Sequence, residues 1–290
     1  MIWKRVVTAV VLILFVVPLV LWGSTALVSL AVALVMLLAL FEYFALGEAI
    51  GHRAYRFWTA TCALILVFAQ WNAPTQGPRA MGRVVDWVGI GGLWLGMPMI
   101  EDVLFIFLIG VTVLTLWTKR PMVEALPAAG VSSSGLLLVA FPLTFAIRLH
   151  HIASFGPALL FFVLVITWIG DTAAYFVGRA IGKHKLAPVL SPNKSWEGTI
   201  ASIVGALLVT FAFAPRVNIP LQHLLGIAVA GNIAGQAGDL LESAFKRSAG
   251  VKDSGGLLPG HGGVLDRIDA LILAIPVVWY YWVLIYSPRM

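Results

Sequence analysis

The chain has 290 residues, of which 60% are hydrophobic and only 11% are charged, and its mean hydropathy is +0.97. This composition excludes a soluble domain with one core and indicates a polytopic membrane protein. The formal charge of +6 does not indicate a nucleic-acid partner, because the basic residues lie in short loops between apolar runs.

Nine apolar runs are predicted to be membrane-spanning α-helices, each close to the roughly 20 residues that a span needs. The first follows Lys4 and Arg5 and is too long for the apolar part of a signal peptide, so we interpret it as a helix. The fourth is ambiguous, because Glu101 and Asp102 lie within it. The runs are Val6–Trp22, Thr25–Phe44, Phe57–Trp71, Leu93–Trp117, Val131–Ile147, Ser154–Val177, Thr199–Pro215, Leu221–Leu241 and Leu265–Tyr286.

The distribution of positive charge supports nine alternating spans with a cytoplasmic N-terminus. In that arrangement 14 of the 19 Lys and Arg residues lie on the cytoplasmic side and 5 on the far side. Cytoplasmic loops of membrane proteins carry such an excess of Lys and Arg. The segments that bear most polar residues then share the cytoplasmic side.

The first of these segments is DTAAYFVGRAIGKHK, which begins at Asp171. A carboxylate near the end of a membrane helix is costly and is therefore a functional candidate by default. The alternative is an interfacial Asp paired with a neighbouring base such as Arg179.

The second segment is SPNKSWEG, Ser191–Gly198. Lys194 and the two serines are suited to phosphate contact. Ser195, Trp196 and Glu197 could equally begin the next helix, with Ser195 as its cap.

The third segment is GDLLESAFKR, in which polar residues recur at helical spacing. Asp239, Glu242, Ser243, Lys246 and Arg247 share one face of a helix. This face predicts a site, although a buried ladder of ion pairs would give the same pattern.

The stretch Ser243–Asp269, SAFKRSAGVKDSGGLLPGHGGVLDRID, combines acids, bases and five glycines. Glycine lets the backbone turn through positive φ and approach a ligand closely. Backbone amides in such a loop can hold an anion, while the carboxylates would repel it unless a cation lies between them. The stretch therefore predicts a phosphate site that includes a metal ion.

The same stretch resembles the signature of the CDP-diacylglycerol synthases, or phosphatidate cytidylyltransferases. That signature runs Ser-x-apolar-Lys-Arg, four residues, Lys-Asp, then Pro-x-His-Gly-Gly-apolar-x-Asp-Arg-apolar-Asp. The matching positions are Ser243, Lys246, Arg247, Lys252, Asp253, Pro259, His261, Gly262, Gly263, Asp266, Arg267 and Asp269. Ser191–Gly198 is similar to a second family segment.

The resemblance implies transfer of the cytidylyl group of CTP to phosphatidate, with Mg²⁺ and a second cation such as K⁺. The catalytic residues it implies are Asp239, Asp266, Lys252 and Arg247. Substrate or phosphate contacts are assigned to Lys194, Ser195, Ser243, Lys246, His261, Gly262, Gly263 and Arg267. The metal ligands it implies are Asp239 and Asp266, with Asp171 as a further candidate.

The expected architecture is all-α, with N-terminal membrane helices in 1–150 and a catalytic membrane region in 151–290. Membrane lipid is an expected partner, a homodimer is left open, and the expected location is a bacterial inner membrane with a cytoplasmic site. One alternative is an ion-coupled transporter, although its acids would lie near the membrane midplane. The other is a different CTP- or CDP-using lipid transferase, although the Asp-x-x-Asp-Gly-x-x-Ala-Arg run of the CDP-alcohol phosphotransferases is absent from the sequence.

Overall fold

The computed structural model describes residues 2–72, 99–217, 219–257 and 262–286, and these are mostly helical. Two segments, Gly135–Ala140 and Trp282–Tyr286, are wider helical turns that continue the helices before them. The helices are α1 (Ile2–Trp22), α2 (Thr25–Ala49), α3 (Arg56–Asn72), α4 (Ile100–Trp117), α5 (Ala125–Ser134), α6 (Phe141–His150), α7 (Gly156–Ile181), α8 (Trp196–Phe213), α9 (Leu221–Ser248) and α10 (Leu265–Tyr281).

The prediction of an all-α polytopic membrane protein is confirmed, but the count of nine spans is not. Seven described segments are long and apolar enough to cross a membrane. They are α2, α4, the continuous stretch Met122–His150, α7, Trp196–Arg216, α9 and Leu265–Tyr286. The other two predicted runs contain shorter apolar helices. The apolar part of α1 is Val10–Trp22, and α3 has 17 residues.

In the ambiguous fourth run, the described helix α4 begins at Ile100. Both acids lie in the first turn of that helix, and the Asp102 carboxylate accepts a hydrogen bond of 2.9 Å from the backbone N–H of Met99. Carboxylates are favourable at this position, because the helix dipole is positive there. The predicted start at Leu93 lies outside the described residues.

A short antiparallel hairpin precedes α8, where the sequence predicted only a loop or a helix cap. Its strands are β1 (Lys185–Ala187) and β2 (Ser191–Ser195), with Lys185 opposite Ser195. Ser195 is the cap residue of α8, and its hydroxyl accepts a hydrogen bond of 3.2 Å from the N–H of Gly198. The expectation that a helix begins here is therefore confirmed.

The N-terminal helices and α10 share one buried core. Met36, Leu40 and Phe44 of α2 belong to the same cluster as Leu265 and Ile272 of α10. The division at residue 150 stays a prediction, but this core holds the start of α10 beside α2.

Helices α9 and α10 lie close together at Gly238. A Cβ atom on Gly238 would lie 2.4 Å from the backbone oxygen of Asp269, which is closer than any side chain tolerates. Small residues allow membrane helices to pack at such distances. The contact brings Asp239, the next residue of α9, next to the first turns of α10.

Candidate functional site

Asp266, in the first turn of α10, organises the glycine-rich loop. Its Oδ1 atom pairs with the Lys246 ammonium at 2.6 Å. Its Oδ2 atom accepts three hydrogen bonds, from the N–H of Ser254 at 3.0 Å, the hydroxyl of Ser254 at 3.0 Å and the N–H of Gly263 at 2.8 Å. The carboxylate therefore connects α9, α10 and both arms of the loop.

Glycine is required at position 262 for two reasons. Its φ is +77°, in the left-handed region that side chains disfavour. A Cβ atom there would also lie 2.6 Å from Oδ2 of Asp266. Gly262 thus lets the loop close onto this carboxylate, and its predicted phosphate contact stays a prediction.

A second carboxylate, that of Glu42 in α2, holds the loop from the N-terminal side. Oε1 accepts a hydrogen bond of 3.0 Å from the N–H of Val264, and Oε2 accepts one of 2.8 Å from the N–H of Leu265. The hydroxyl of Ser254 also donates to Oε2, at 3.1 Å. Glu42 therefore occupies the N-terminal end of α10, where free amides and the helix dipole favour an anion.

Glu42 was not identified from the sequence, although a signal was present. It is an isolated carboxylate within the apolar run Thr25–Phe44, and such residues are functional candidates by default. All the predicted site residues lie after residue 150, whereas Glu42 belongs to the N-terminal half.

Lys246 lies between two carboxylates. It pairs with Asp266 and also with Glu242, one turn earlier on α9. Glu242 is only 1% exposed. The Lys246 ammonium lies within ion-pair distance of Glu242. No donor among the described residues has hydrogen-bond geometry towards either Glu242 oxygen. The alternative of an ion-pair ladder on this helix face is therefore observed, and its role in a substrate site stays a prediction.

A second group of charges lies where α7, α9 and β2 meet. The Lys194 ammonium pairs with the Asp239 carboxylate at 2.6 Å. The negative charges of Asp171 and Asp239 both act on Asp269, and the positive charges of Lys194 and Arg267 act on Asp171. The three predicted polar segments are thus brought together at one end of the helix bundle.

The carboxylates of this second group have the donor chemistry that Mg²⁺ prefers. Magnesium commonly takes one or two protein carboxylates and completes its shell with water and substrate phosphates. Asp171 and Asp239 fit that requirement, and Asp269 lies beside them. In the described ranges no three His, Cys, Asp or Glu residues are arranged closely enough to hold an ion by themselves, so substrate oxygens would have to supply further ligands.

The contacts of Asp266 differ from those of Asp239. Only 6% of the Asp266 side chain is exposed, against 31% of the Asp239 side chain. The accessible carboxylate is better placed for a metal ion, whereas both oxygens of the buried one already accept protein donors. The sharing of one Mg²⁺ by these two residues stays a prediction.

Two of the remaining predicted residues, Arg247 and Ser243, form hydrogen bonds next to these two groups. The Arg247 guanidinium donates to the backbone oxygens of Leu190 at 3.3 Å and Val251 at 3.1 Å, which ties the hairpin to the end of α9. The Ser243 hydroxyl donates to Asp239 at 3.5 Å. Lys252 is exposed, and His261 lies outside the described residues.

Replacing Asp266 by Asn is expected to destabilise the protein by about 3–5 kcal/mol, the usual cost of removing one partner from a buried ion pair. An amide cannot accept from three donors on one oxygen while also neutralising Lys246. Asp253→Asn removes the same charge from an exposed position of the same loop, and should cost less than about 0.5 kcal/mol. Chemical denaturation of both variants in detergent measures the difference. Equal stabilities would show that Asp266 does not organise the loop.

The comparisons with known proteins agree with the signature. The Cytidylyltransferase family pattern matches residues 3–285. A phosphatidate cytidylyltransferase of Haemophilus influenzae is 43% identical over 175 residues, which are 57% of this chain and 59% of the relative. One of Bacillus subtilis is 43% identical over 136 residues, covering 46% of this chain and 51% of the relative.

The chain therefore spans between half and three fifths of the length of these two relatives in the matched regions. A phosphatidate cytidylyltransferase of Staphylococcus haemolyticus matches further, being 33% identical over 281 residues, which are 94% of this chain and 96% of the relative. The similarity thus extends beyond the signature into the N-terminal helices, where Glu42 lies.

Proposed function

Because the chain belongs to the cytidylyltransferase family, we propose that it transfers the cytidylyl group of CTP to phosphatidate, giving CDP-diacylglycerol and pyrophosphate. The observation that carries this proposal is the joint placement of acids and bases from β2, α7, α9 and α10 at one end of the bundle. The ion pair between Lys194 and Asp239 joins two of the predicted segments directly. The names of the relatives support the choice of substrates.

The reaction needs positioning and charge neutralisation more than proton transfer. An oxygen of the phosphatidate phosphate attacks the α-phosphorus of CTP, and the bond from that phosphorus to the bridging oxygen of the β-phosphate breaks. Pyrophosphate leaves with the electron pair of that bond. Because the attacking phosphate is already an anion at neutral pH, no strong general base is required.

The chain supplies cations and backbone donors for this task. Lys194 and Arg267 lie at the Asp171–Asp239–Asp269 group, and the exposed Lys252 extends from the glycine loop. We propose that these groups hold the phosphates of the two substrates. Lys246 is engaged by two carboxylates, so we assign it to the support of the loop.

We propose Asp239 and Asp171 as the residues that would hold Mg²⁺, with Asp269 beside them. A bound Mg²⁺ supplies neutralisation of the charge on the phosphates. The second cation implied by the family resemblance, such as K⁺, is proposed for the same acidic group. The release of Asp239 from Lys194 would free both of these residues for substrate and metal.

We also propose that the site faces the cytoplasm of a bacterial cell, because CTP is a cytoplasmic substrate and Lys and Arg are concentrated at this end. A reporter placed after Met290 should then lie on the opposite side of the membrane from one placed in the loop that contains Lys252. Cysteine accessibility in intact cells and inverted vesicles measures this. Labelling of both positions from one side would contradict the orientation and the odd number of spans.

The direct test of function is a reaction with purified full-length chain, labelled CTP, phosphatidate and Mg²⁺. The expected result is a labelled lipid product, CDP-diacylglycerol, with one pyrophosphate released for each lipid formed. Diacylglycerol in place of phosphatidate should give no product, since it lacks the attacking phosphate. Turnover of CTP without a labelled lipid would overturn the proposal.

Lys252→Ala should raise the KM for CTP about 10-fold, as expected for the loss of one charge-assisted contact of about 1.5 kcal/mol. Folding should be unaffected, because Lys252 is exposed. Lys119→Ala, another exposed lysine, is the matched control and should keep the wild-type KM. Unchanged CTP kinetics in Lys252→Ala would remove this lysine from the site.

A further inference from the structure

A cavity of about 570 Å³ opens between the start of α3 and the end of α4. It lies at the same end of the bundle as the glycine loop, because Glu48 in its wall is six residues beyond Glu42, or about 9 Å along α2. The charged and aromatic residues that line it include Arg53, Arg56, Arg120, Glu48, Tyr55 and Trp58. None of these belongs to the site already described.

One cationic side chain of this cavity, that of Arg120, is held by several contacts. The Arg120 guanidinium donates to the backbone oxygen of Arg53 at 2.6 Å and lies 5.2 Å from the centre of the Tyr55 ring. Tyr55 is itself buried, its N–H donating to the Ser132 hydroxyl at 2.8 Å. The position of Arg120 is therefore fixed by the backbone of Arg53 and the ring of the buried Tyr55.

The charge of the cavity is not balanced by its own residues. Arg56 pairs with Glu48, the one acid among the described residues of the lining. Arg53 and Arg120 add two further positive charges to the same wall. Arg guanidinium groups match the geometry of a phosphate, which they bind through paired N–H donors. The lining is therefore complementary to a phosphate-bearing anion.

The other wall of the cavity is apolar and continues onto the outer surface of the bundle. Phe57, Trp58 and Leu114 line it, and Phe57 is 84% exposed. Next to it, Leu116 and Trp117 of α4 are 75% and 77% exposed. A soluble anion would gain nothing from this surface, whereas an acyl chain would cover it.

We propose that this cavity binds the phosphate headgroup of an anionic phospholipid, with an acyl chain lying along α3 and α4. It is a second lipid site, separate from the Asp171–Asp239–Asp269 group, and it does not depend on the proposed transfer reaction. Arg53 and Arg120 contact the phosphate, and Glu48 competes with that phosphate for Arg56.

Native mass spectrometry of the full-length chain in a neutral detergent provides the test. Dioleoyl-phosphatidylglycerol should bind more tightly than dioleoyl-phosphatidylcholine, which has the same chains but no net charge. Arg53→Gln should weaken phosphatidylglycerol binding about fivefold, corresponding to about 1 kcal/mol for one arginine near an anionic lipid. Lys119→Gln, which removes a charge close by but outside the lining, should leave the affinity unchanged.

Glu48→Gln should change the affinity for phosphatidylglycerol in the opposite direction. A misfolded variant would not bind the lipid more tightly. Loss of the acid releases Arg56, so phosphatidylglycerol should bind about fivefold more tightly. Equal affinities of Arg53→Gln and Lys119→Gln, or weaker binding in Glu48→Gln, would overturn the proposal. Displacement of the lipid by equimolar inorganic phosphate would also overturn it, since the occupant would then be a soluble anion.

Discussion

Asp239→Asn is expected to reduce turnover by about 10²–10³-fold, similar to the loss of one preorganised electrostatic contact in other enzymes. Asn keeps the shape of the side chain but removes the charge that pairs with Lys194 and that would attract Mg²⁺. The Mg²⁺ concentration for half-maximal activity should rise. Steady-state kinetics over a Mg²⁺ titration measures both effects.

Lys194→Gln distinguishes the two roles of Asp239. It breaks the same ion pair but keeps the carboxylate, so activity should fall while the Mg²⁺ concentration for half-maximal activity should not rise above that of the wild type. Equal Mg²⁺ curves for wild type and Asp239→Asn would show that Asp239 serves only as a partner of Lys194.

The double variant of Asp239 and Asp266 tests whether the two acids hold one ion. If they do, the double variant should be little worse than either single variant. The loop contacts of Asp266 favour separate roles, and we therefore expect the two losses to multiply. Losses that do not multiply would support the shared metal site.

Glu42→Gln is expected to lower kcat/KM for CTP by about 10- to 150-fold. A hydrogen bond to a charged group contributes about 1.5–3 kcal/mol, and the amide of Gln turns an NH₂ group towards the donors that Glu42 now accepts from. The KM for phosphatidate should change little, because the loop is proposed to act on the phosphates of CTP. A lower kcat/KM for CTP together with an unchanged KM for phosphatidate would identify a positioning role, because a general loss of fold would affect both substrates.

Glu124→Gln is the matched control for Glu42→Gln, because Glu124 is a half-buried glutamate in the same N-terminal part of the chain. Its kinetics should equal those of the wild type. If Glu42→Gln lowered both substrate affinities and the protein yield alike, Glu42 would be a structural residue only.

The sequence was sufficient to predict the helices, whereas the roles of the site residues stay predictions. Apolar runs located a helix within each predicted span, because hydropathy in lipid depends on local composition. Asp239 was predicted from the polar face of GDLLESAFKR and Asp266 from the signature, since both predictions depend on residue types and spacing within a contiguous stretch. What the motif could not show is that Asp266 turns towards loop amides while Asp239 faces an accessible lysine.

Two parts of the structure escaped prediction, the contacts of Glu42 and the β1–β2 hairpin. Glu42 bonds to residues more than 200 positions away, and local patterns contain no information on such pairs. The β1–β2 hairpin was missed because its strands are short and contain Pro192, which usually disfavours a strand. Pro192 is tolerated there because the sheet has only two strands, so each strand is an edge.

The contact between Glu42 and the start of α10 can form only late in the synthesis of the chain. The two hydrogen-bonding residues are separated by 222 positions. At about 5–20 residues per second, a ribosome needs about 11–44 s to make the intervening chain. During that interval the Glu42 carboxylate lacks the backbone donors of the loop. The loop is therefore held from the N-terminal side only after the start of α10 has been made.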